Sequence, residues 1–206
     1  MGMLESMVAI QKGISAQNID LSEQELEECG RPQTDENCGK GAFPGLVIEN
    51  IINYHSGKLF SEKSYPYDGK QNTKHIEDCH IRYMSDENIV ATVNAVYYLE
   101  DTTERGLMAA VAEIGPVSII MNFTDTLIGW GIRPNDDIYS DVNCVAKYKG
   151  NHAVVVVGYG TENSQDYWII KNSWGENWGS DGFIRIDRKM TDMCGMAVAA
   201  ITANIA

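Results

Sequence analysis

The chain has 206 residues, 44% of them hydrophobic and 22% charged, with 16 Lys and Arg against 29 Asp and Glu and a formal net charge of −13. That length buries a substantial core, as one domain or as two lobes. The acidic balance argues against nucleic acid or an anionic membrane surface as the main partner, because both are polyanions, and no stretch approaches the roughly 20 consecutive apolar residues of a membrane span.

Met1 to Ser6 carry neither a basic n-region nor an apolar h-region, so no signal peptide is visible. Met3, Met7, Ile10 and Ile14 recur at helical spacing, Leu4 and Val8 widen the stripe, and Gly13 ends or loosens the helix. Leu21-Ser22-Glu23-Gln24-Glu25-Leu26 predicts a second helix, with Ser22 as N-cap and Glu25 completing a capping box. The Gly, Pro and Asn residues between 30 and 45 read as loop. Phe43 to Tyr54 predicts a third helix stopped by Gly57, and Ser64-Tyr65-Pro66-Tyr67-Asp68-Gly69 a turn-bearing loop.

The pattern changes near residue 85. Asn88 to Tyr98 is β-branched and aromatic, and Thr103 to Glu113 predicts a short amphipathic helix. Val117 to Phe123, Ala153 to Tyr159, Tyr167 to Lys171 and Gly182 to Ile186 are apolar runs bounded by turn residues, which predict strands. No repeat or linker interrupts the chain. The expectation is one α+β domain over 1–206, an α-rich lobe (1–85) followed by an antiparallel β-rich lobe (86–206).

Five cysteines, Cys29, Cys38, Cys79, Cys144 and Cys194, fit two disulfides and one leftover thiol, and spacing alone does not give their connectivity. No CxxC pair occurs; His75, Cys79 and His80 lie close together but lack a fourth ligand of usual spacing, so no metal site is expected.

Two segments carry chemistry. In Gly150-Asn151-His152-Ala153-Val154-Val155-Val156-Val157-Gly158-Tyr159-Gly160 a histidine opens an apolar strand. In Tyr167-Trp168-Ile169-Ile170-Lys171-Asn172-Ser173-Trp174-Gly175-Glu176-Asn177-Trp178-Gly179 a strand delivers an asparagine into a tryptophan-rich turn. Adjacent antiparallel strands would set His152 beside Asn172, where the amide fixes the imidazole tautomer and tryptophan shields the bond from water. Taken alone, His152 reads as a satisfied core histidine and Asn172 as a turn former; the tryptophans that follow Asn172 shift the balance.

These segments resemble the histidine and asparagine signatures of the papain family of cysteine peptidases. Ser22-Glu23-Gln24-Glu25-Leu26 through Cys29 is similar to the family's Ser-Glu-Gln-x-Leu-x-x-Cys segment, and Leu4-Glu5 to the middle of its central helix. Tyr65-Pro66-Tyr67, Gly115-Pro116-Val117-Ser118 and Cys194-Gly195 follow in the expected order, so the resemblance covers nearly the whole chain. It implies a two-lobed fold that cleaves peptide bonds in a groove, with no cofactor. Its thiolate attacks the scissile carbonyl, a histidine pairs with that thiolate, and an asparagine orients the histidine. His152 would be the acid–base, Asn172 its orienter and Trp174 the cover over their hydrogen bond.

The pattern breaks at the nucleophile. The family carries it in Cys-Gly-Ser-Cys-Trp, which these 206 residues do not contain, and counting back from Leu4-Glu5 places it before Met1, with the oxyanion glutamine further upstream. The family spacing of about 130–150 residues from cysteine to histidine leaves Cys29 and Cys38 as substitutes. Against Cys29 stand the carboxylates Glu25, Glu27 and Glu28, which disfavour a thiolate; it also matches a family disulfide position. By resemblance Cys29 pairs with Cys79 and Cys144 with Cys194, leaving Cys38 as the free thiol, its partner belonging to the absent segment.

The resemblance further implies substrate-binding roles for Gly41, Ala42, Phe43, Ile120, Asn151, Ala153 and Ala199, although Ile120 and Ala199 serve equally well as core. Lys40 replaces a glycine in the segment Cys38-Gly39-Lys40-Gly41. Asn122-Phe123-Thr124 is a glycosylation sequon, informative only in a secreted protein. His55, His75 and His80 match no catalytic role and read as surface or loop. Expected partners are peptide or protein substrate-like ligands and cystatin-type inhibitors. Uncovered apolar surface on the first helix implies a homo-oligomer. The expected location is lysosomal or secreted, or cytoplasmic if Met1 is the natural start. The leading expectation is a proteolytically inactive homologue; the alternatives are an active peptidase whose Cys-bearing segment is supplied separately, and a self-associating decoy module.

Overall fold

The computed structural model describes residues 1–30, 41–68, 86–132, 136–144, 150–188, 194–196 and 199–206. They form two compact units, one of Met3–Tyr97 with Ala203–Ala206 and one of Tyr98–Thr202. Cys38, His75, Cys79 and His80 lie outside the described residues.

Among the described residues the first unit has three α-helices. Helix α1 (Gly2–Lys12) ends at Gly13, whose φ of 61° is the left-handed conformation that a glycine adopts without strain. Its buried residues are Met3, Leu4, Val8 and Ala9, while Ile10 is 58% exposed and Ile14 44%. The core face therefore keeps Met3, Leu4 and Val8 of the predicted stripe and leaves out its Ile10 and Ile14. Both sets have helical spacing, and only packing chooses between them.

Helix α2 (Glu23–Cys29) is capped as expected on one side, with Ser22 Oγ accepting from Glu25 N at 2.9 Å. The reciprocal half of the box is missing. Glu25 is buried, and its Oε2 accepts instead from Phe60 N at 2.9 Å, while Ser22 N donates to Phe60 O at 3.0 Å. A strand absent from the sequence reading, β1 (Lys58–Phe60), supplies these competing main-chain groups. Helix α3 (Pro44–His55) runs one residue past the predicted Tyr54, and Ser56 rather than Gly57 is the first left-handed residue after it, at φ 55°. His55 is buried in α3 instead of lying on the surface. β1 pairs antiparallel with β2 (Ile89–Tyr98), whose Thr92 O accepts from Ala206 N at 2.7 Å.

The second unit is a sheet with helices against it. Its strands are β3 (Val117–Met121), β4 (Ile138–Tyr139), β5 (His152–Glu162), β6 (Gln165–Lys171), β7 (Phe183–Asp187) and the start of β8 (Ala200–Ile205). Across the sheet they run β8, β3, β5, β6, β7, β4. All these pairs are antiparallel except β4 with β7, so the predicted antiparallel sheet becomes mixed at its β4 edge. Helix α4 (Glu104–Glu113) is capped by Thr103 Oγ1, which accepts from Gly106 N at 3.2 Å, and turns Leu107 and Ala110 into the core. Ile119, Met121, Val156, Ile170, Ile184 and Ile186 supply the sheet side of that core. Helix α5 (Asp125–Trp130) follows an N-cap at Thr124 and buries Leu127. At six residues it is too short for a periodic signal, as two-residue β4 is for an alternating one.

Cys144 and Cys194 form a disulfide across a sequence separation of 50. A loop of that size restricts the unfolded chain enough to stabilise the fold by about 4 kcal/mol. The same two residues are joined by main chain, with Cys194 N donating to Cys144 O at 2.6 Å and Asn122 N to Cys194 O at 2.7 Å. The bond is therefore anchored at the end of β3, beside the start of β5.

Candidate active site

β5 begins with His152, opposite Met121 of β3, and β6 ends with Lys171, opposite Val155 of β5. Asn172 follows at once, with its N–H on Gly182 O at 3.0 Å. This register brings the two predicted side chains together. His152 Nε2 lies 2.8 Å from Asn172 Oδ1.

The same Oδ1 accepts the main-chain N–H of Ser173 at 2.8 Å. A main-chain N–H only donates, which identifies the amide atom facing His152 as the oxygen. Nε2 is thus the nitrogen that carries hydrogen in this bond, and in the neutral ring Nδ1 holds the lone pair. Asn172 is buried, and its Nδ2 has no partner among the described residues.

Aromatic rings surround the pair. Trp174 lies 4.9 Å from the imidazole, centroid to centroid, at an interplanar angle of 40°. Phe123 stands edge-on to the imidazole at 4.6 Å and 62°, and to Trp174 at 5.3 Å. Trp178, buried, lies 5.4 Å from Trp174 and 5.9 Å from Phe123. It packs on the main chain of Gly131, where a β-carbon would overlap the indole. Gly131 O accepts from Gly179 N at 2.7 Å, which fixes the tryptophan turn to the end of α5.

The candidate substrate-binding residues fall in two places. Ile120 pairs with Ala153, and Ile120 N donates to Ala199 O at 3.2 Å, so these three are neighbours on β3, β5 and the approach to β8. Ile120 and Ala199 are half-buried and Ala153 is exposed. Gly41, Ala42 and Phe43 belong to the first unit, where they precede α3 and are exposed, Phe43 by 63%. Asn151 commits its side chain to the main chain of Phe123: Oδ1 accepts from Phe123 N at 2.7 Å and Nδ2 donates to Phe123 O at 3.1 Å. Cys29 is buried and disulfide-bonded, and Cys144 and Cys194 are bonded to one another. No cysteine among the described residues offers a free sulfur.

Sequence reasoning missed the role of Phe123, which entered as the end of a predicted strand and the middle of a sequon, whereas the strand stops at Met121. The available signal was its place two residues past the end of β3, the strand whose Met121 pairs with His152. Ser173 was passed over because a main-chain donor leaves no trace in side-chain patterns.

Comparison with known proteins gives the family. The family described as "Papain family cysteine protease" matches residues 1–204. The chain is 36% identical over 200 residues to pro-cathepsin H of Mus musculus, covering 97% of this chain and 54% of the relative. It is 34% identical over 204 residues to procathepsin L of Rattus norvegicus, covering 97% and 55%. Among solved structures, digestive procathepsin L 3 of Tenebrio molitor larval midgut superposes with a TM-score of 0.76 at 30% identity, over 98% of this chain and 62% of that one. The chain spans about half the length of the curated relatives it matches. Its fold is papain-like and α+β, and the chain belongs to the papain family of cysteine proteases.

Proposed function

We propose that this chain carries the histidine–asparagine half of a cysteine peptidase site and that the 206 residues by themselves do not cleave peptides. The observation that carries the reading is the 2.8 Å bond from His152 Nε2 to an Asn172 oxygen already fixed by Ser173 N–H. It leaves Nδ1 as the nitrogen for proton transfer. With a thiol beside it, Nδ1 takes the sulfur's proton. The thiolate then attacks the carbonyl carbon, and the imidazolium returns the proton to the amine nitrogen as the C–N bond breaks. Water next cleaves the thioester, again giving its proton to Nδ1. Trp174 shields the Nε2–Oδ1 bond, and Ile120, Ala153 and Ala199 line the wall that receives an apolar side chain of a peptide or peptide-like inhibitor, of the cystatin type among others. Without a nucleophile the acyl step does not begin.

A second reading is an active endopeptidase in which a Cys-Gly-Ser-Cys-Trp segment is supplied from outside these 206 residues. The assembled His152–Asn172 pair favours it. One assay separates the two readings: turnover of a fluorogenic dipeptide by the 206-residue chain and by the chain extended with that segment. The first reading expects no turnover and no adduct with a thiol-reactive peptide epoxide from the chain alone. The second expects turnover from the extended form, lowered roughly 10²–10⁴-fold by His152→Ala, the worth of one positioned acid–base group. Turnover by the chain alone would sink the first reading. A lysosomal or secreted location fits the Cys144–Cys194 bond, since disulfides persist in oxidising compartments. The exposed Ile10 of α1 and Ile14 just past its end are the surface on which self-association would rest.

A further inference from the structure

We propose that Phe123, gripped by Asn151, is a positioning residue that holds the His152 imidazole in place and keeps water from its Nε2–H. Three observations converge on it. Phe123 is only 4% exposed, although it lies in the loop between β3 and α5. Its ring meets the imidazole edge-on at 4.6 Å and Trp174 at 5.3 Å, so it links the histidine to the tryptophan beside it. Both polar atoms of its main chain are taken by the two ends of one amide, that of Asn151.

The identity of that amide gives the arrangement its meaning. Asn151 shares a peptide bond with His152, and its own N–H is held by Met121 O at 3.1 Å. The residue that sets where the Phe123 ring stands is therefore covalently next to the ring it contacts. The path from one ring to the other runs through one side chain and one peptide unit, with no mobile loop between. Trp174 is 42% exposed and cannot by itself close the site to water. Phe123, buried, covers the imidazole from another direction. An imidazole restrained by Asn172 alone would still pivot about that one bond; two rings in contact with it leave a single orientation.

The proposal rests on His152 being the acid–base group, so the test reads the imidazole and not turnover. In the 206-residue chain labelled with ¹⁵N-histidine, exchange of the His152 Nε2–H with water is measured by NMR, the signal being assigned by its loss in His152→Ala. Phe123→Ala is expected to accelerate exchange roughly two- to tenfold, the range one edge-on aromatic contact is worth. Asn151→Ala, which keeps the ring and releases its grip, is expected to shift exchange in the same direction, and Phe123→Tyr to restore the native rate. Should Phe123→Ala fail to fold, Asn151→Ala and Phe123→Leu carry the test. Native exchange in the folded variants overturns the proposal, whatever Asn172→Ala does. Faster exchange with Phe123→Ala but not with Asn172→Ala supports it and removes instead the orienting role of Asn172.

Discussion

At the scale of single residues, burial works in opposite ways at two places in this molecule. Around His152, burial protects a hydrogen bond: Asn172 is covered, and its oxygen is shared between an imidazole and a main-chain N–H. Around Glu25, burial works on an acid. Loss of solvation pushes its carboxyl up to about 8 from 4.5, against the opposing pull of the Phe60 N–H. A neutral carboxyl still accepts that N–H through its carbonyl oxygen, so the hydrogen bond survives protonation. The folded state therefore holds a proton that the unfolded state releases above 4.5. Stability from this group is full below pH 4.5 and is lost as pH rises through about 8. Glu25→Gln keeps the shape and the acceptor and removes the titration, so melting temperature should vary less between those limits in the variant. Parallel melting profiles for the two proteins would assign the titration to another group.

At the scale of elements, the site depends on how short pieces meet. The turn after β6 holds its shape because Gly179 N reaches Gly131 O and the Trp178 indole lies on Gly131. Gly131→Ala forces the indole off α5 and disturbs Trp174 and Phe123 through their ring contacts. Overpacking of this kind costs roughly 1–3 kcal/mol. Urea unfolding should show a loss of that size with a changed near-ultraviolet spectrum; an unaltered spectrum would mean that the indole relaxes elsewhere. Long elements with a clear period were legible in the sequence: α1, the capped α4, and the apolar strands β3, β5, β6 and β7. Elements stabilised by partners far along the chain were not. β1 exists through its pairing with β2, and the Glu25 carboxyl turned to β1 because that strand offered an N–H in a buried place.

At the scale of the whole molecule, cysteine chemistry connects the fold to its surroundings. With Cys144–Cys194 formed and Cys29 disulfide-bonded, one of the five cysteines is left over after two disulfides. Titration of the unreduced protein in denaturant should therefore find one reactive thiol. A count of five would mean that no disulfide had formed and would remove the support that the cysteines give to a lysosomal or secreted location.

What the sequence determined by itself was local and chemical: the family, the α+β class, the Ser22 N-cap, and the presence of His152 and Asn172 at the ends of neighbouring apolar strands. Those properties follow from residue type and short-range spacing, which act along the chain. Tertiary structure decided which part of the first helix's stripe is buried, where Glu25 sends its carboxyl, and that Phe123 closes on the imidazole. Each of these depends on groups brought together from distant positions, Phe123 and His152 among them, and their contact is set by strand register and by the amide of Asn151. Register is a property of paired strands, and no single strand carries it.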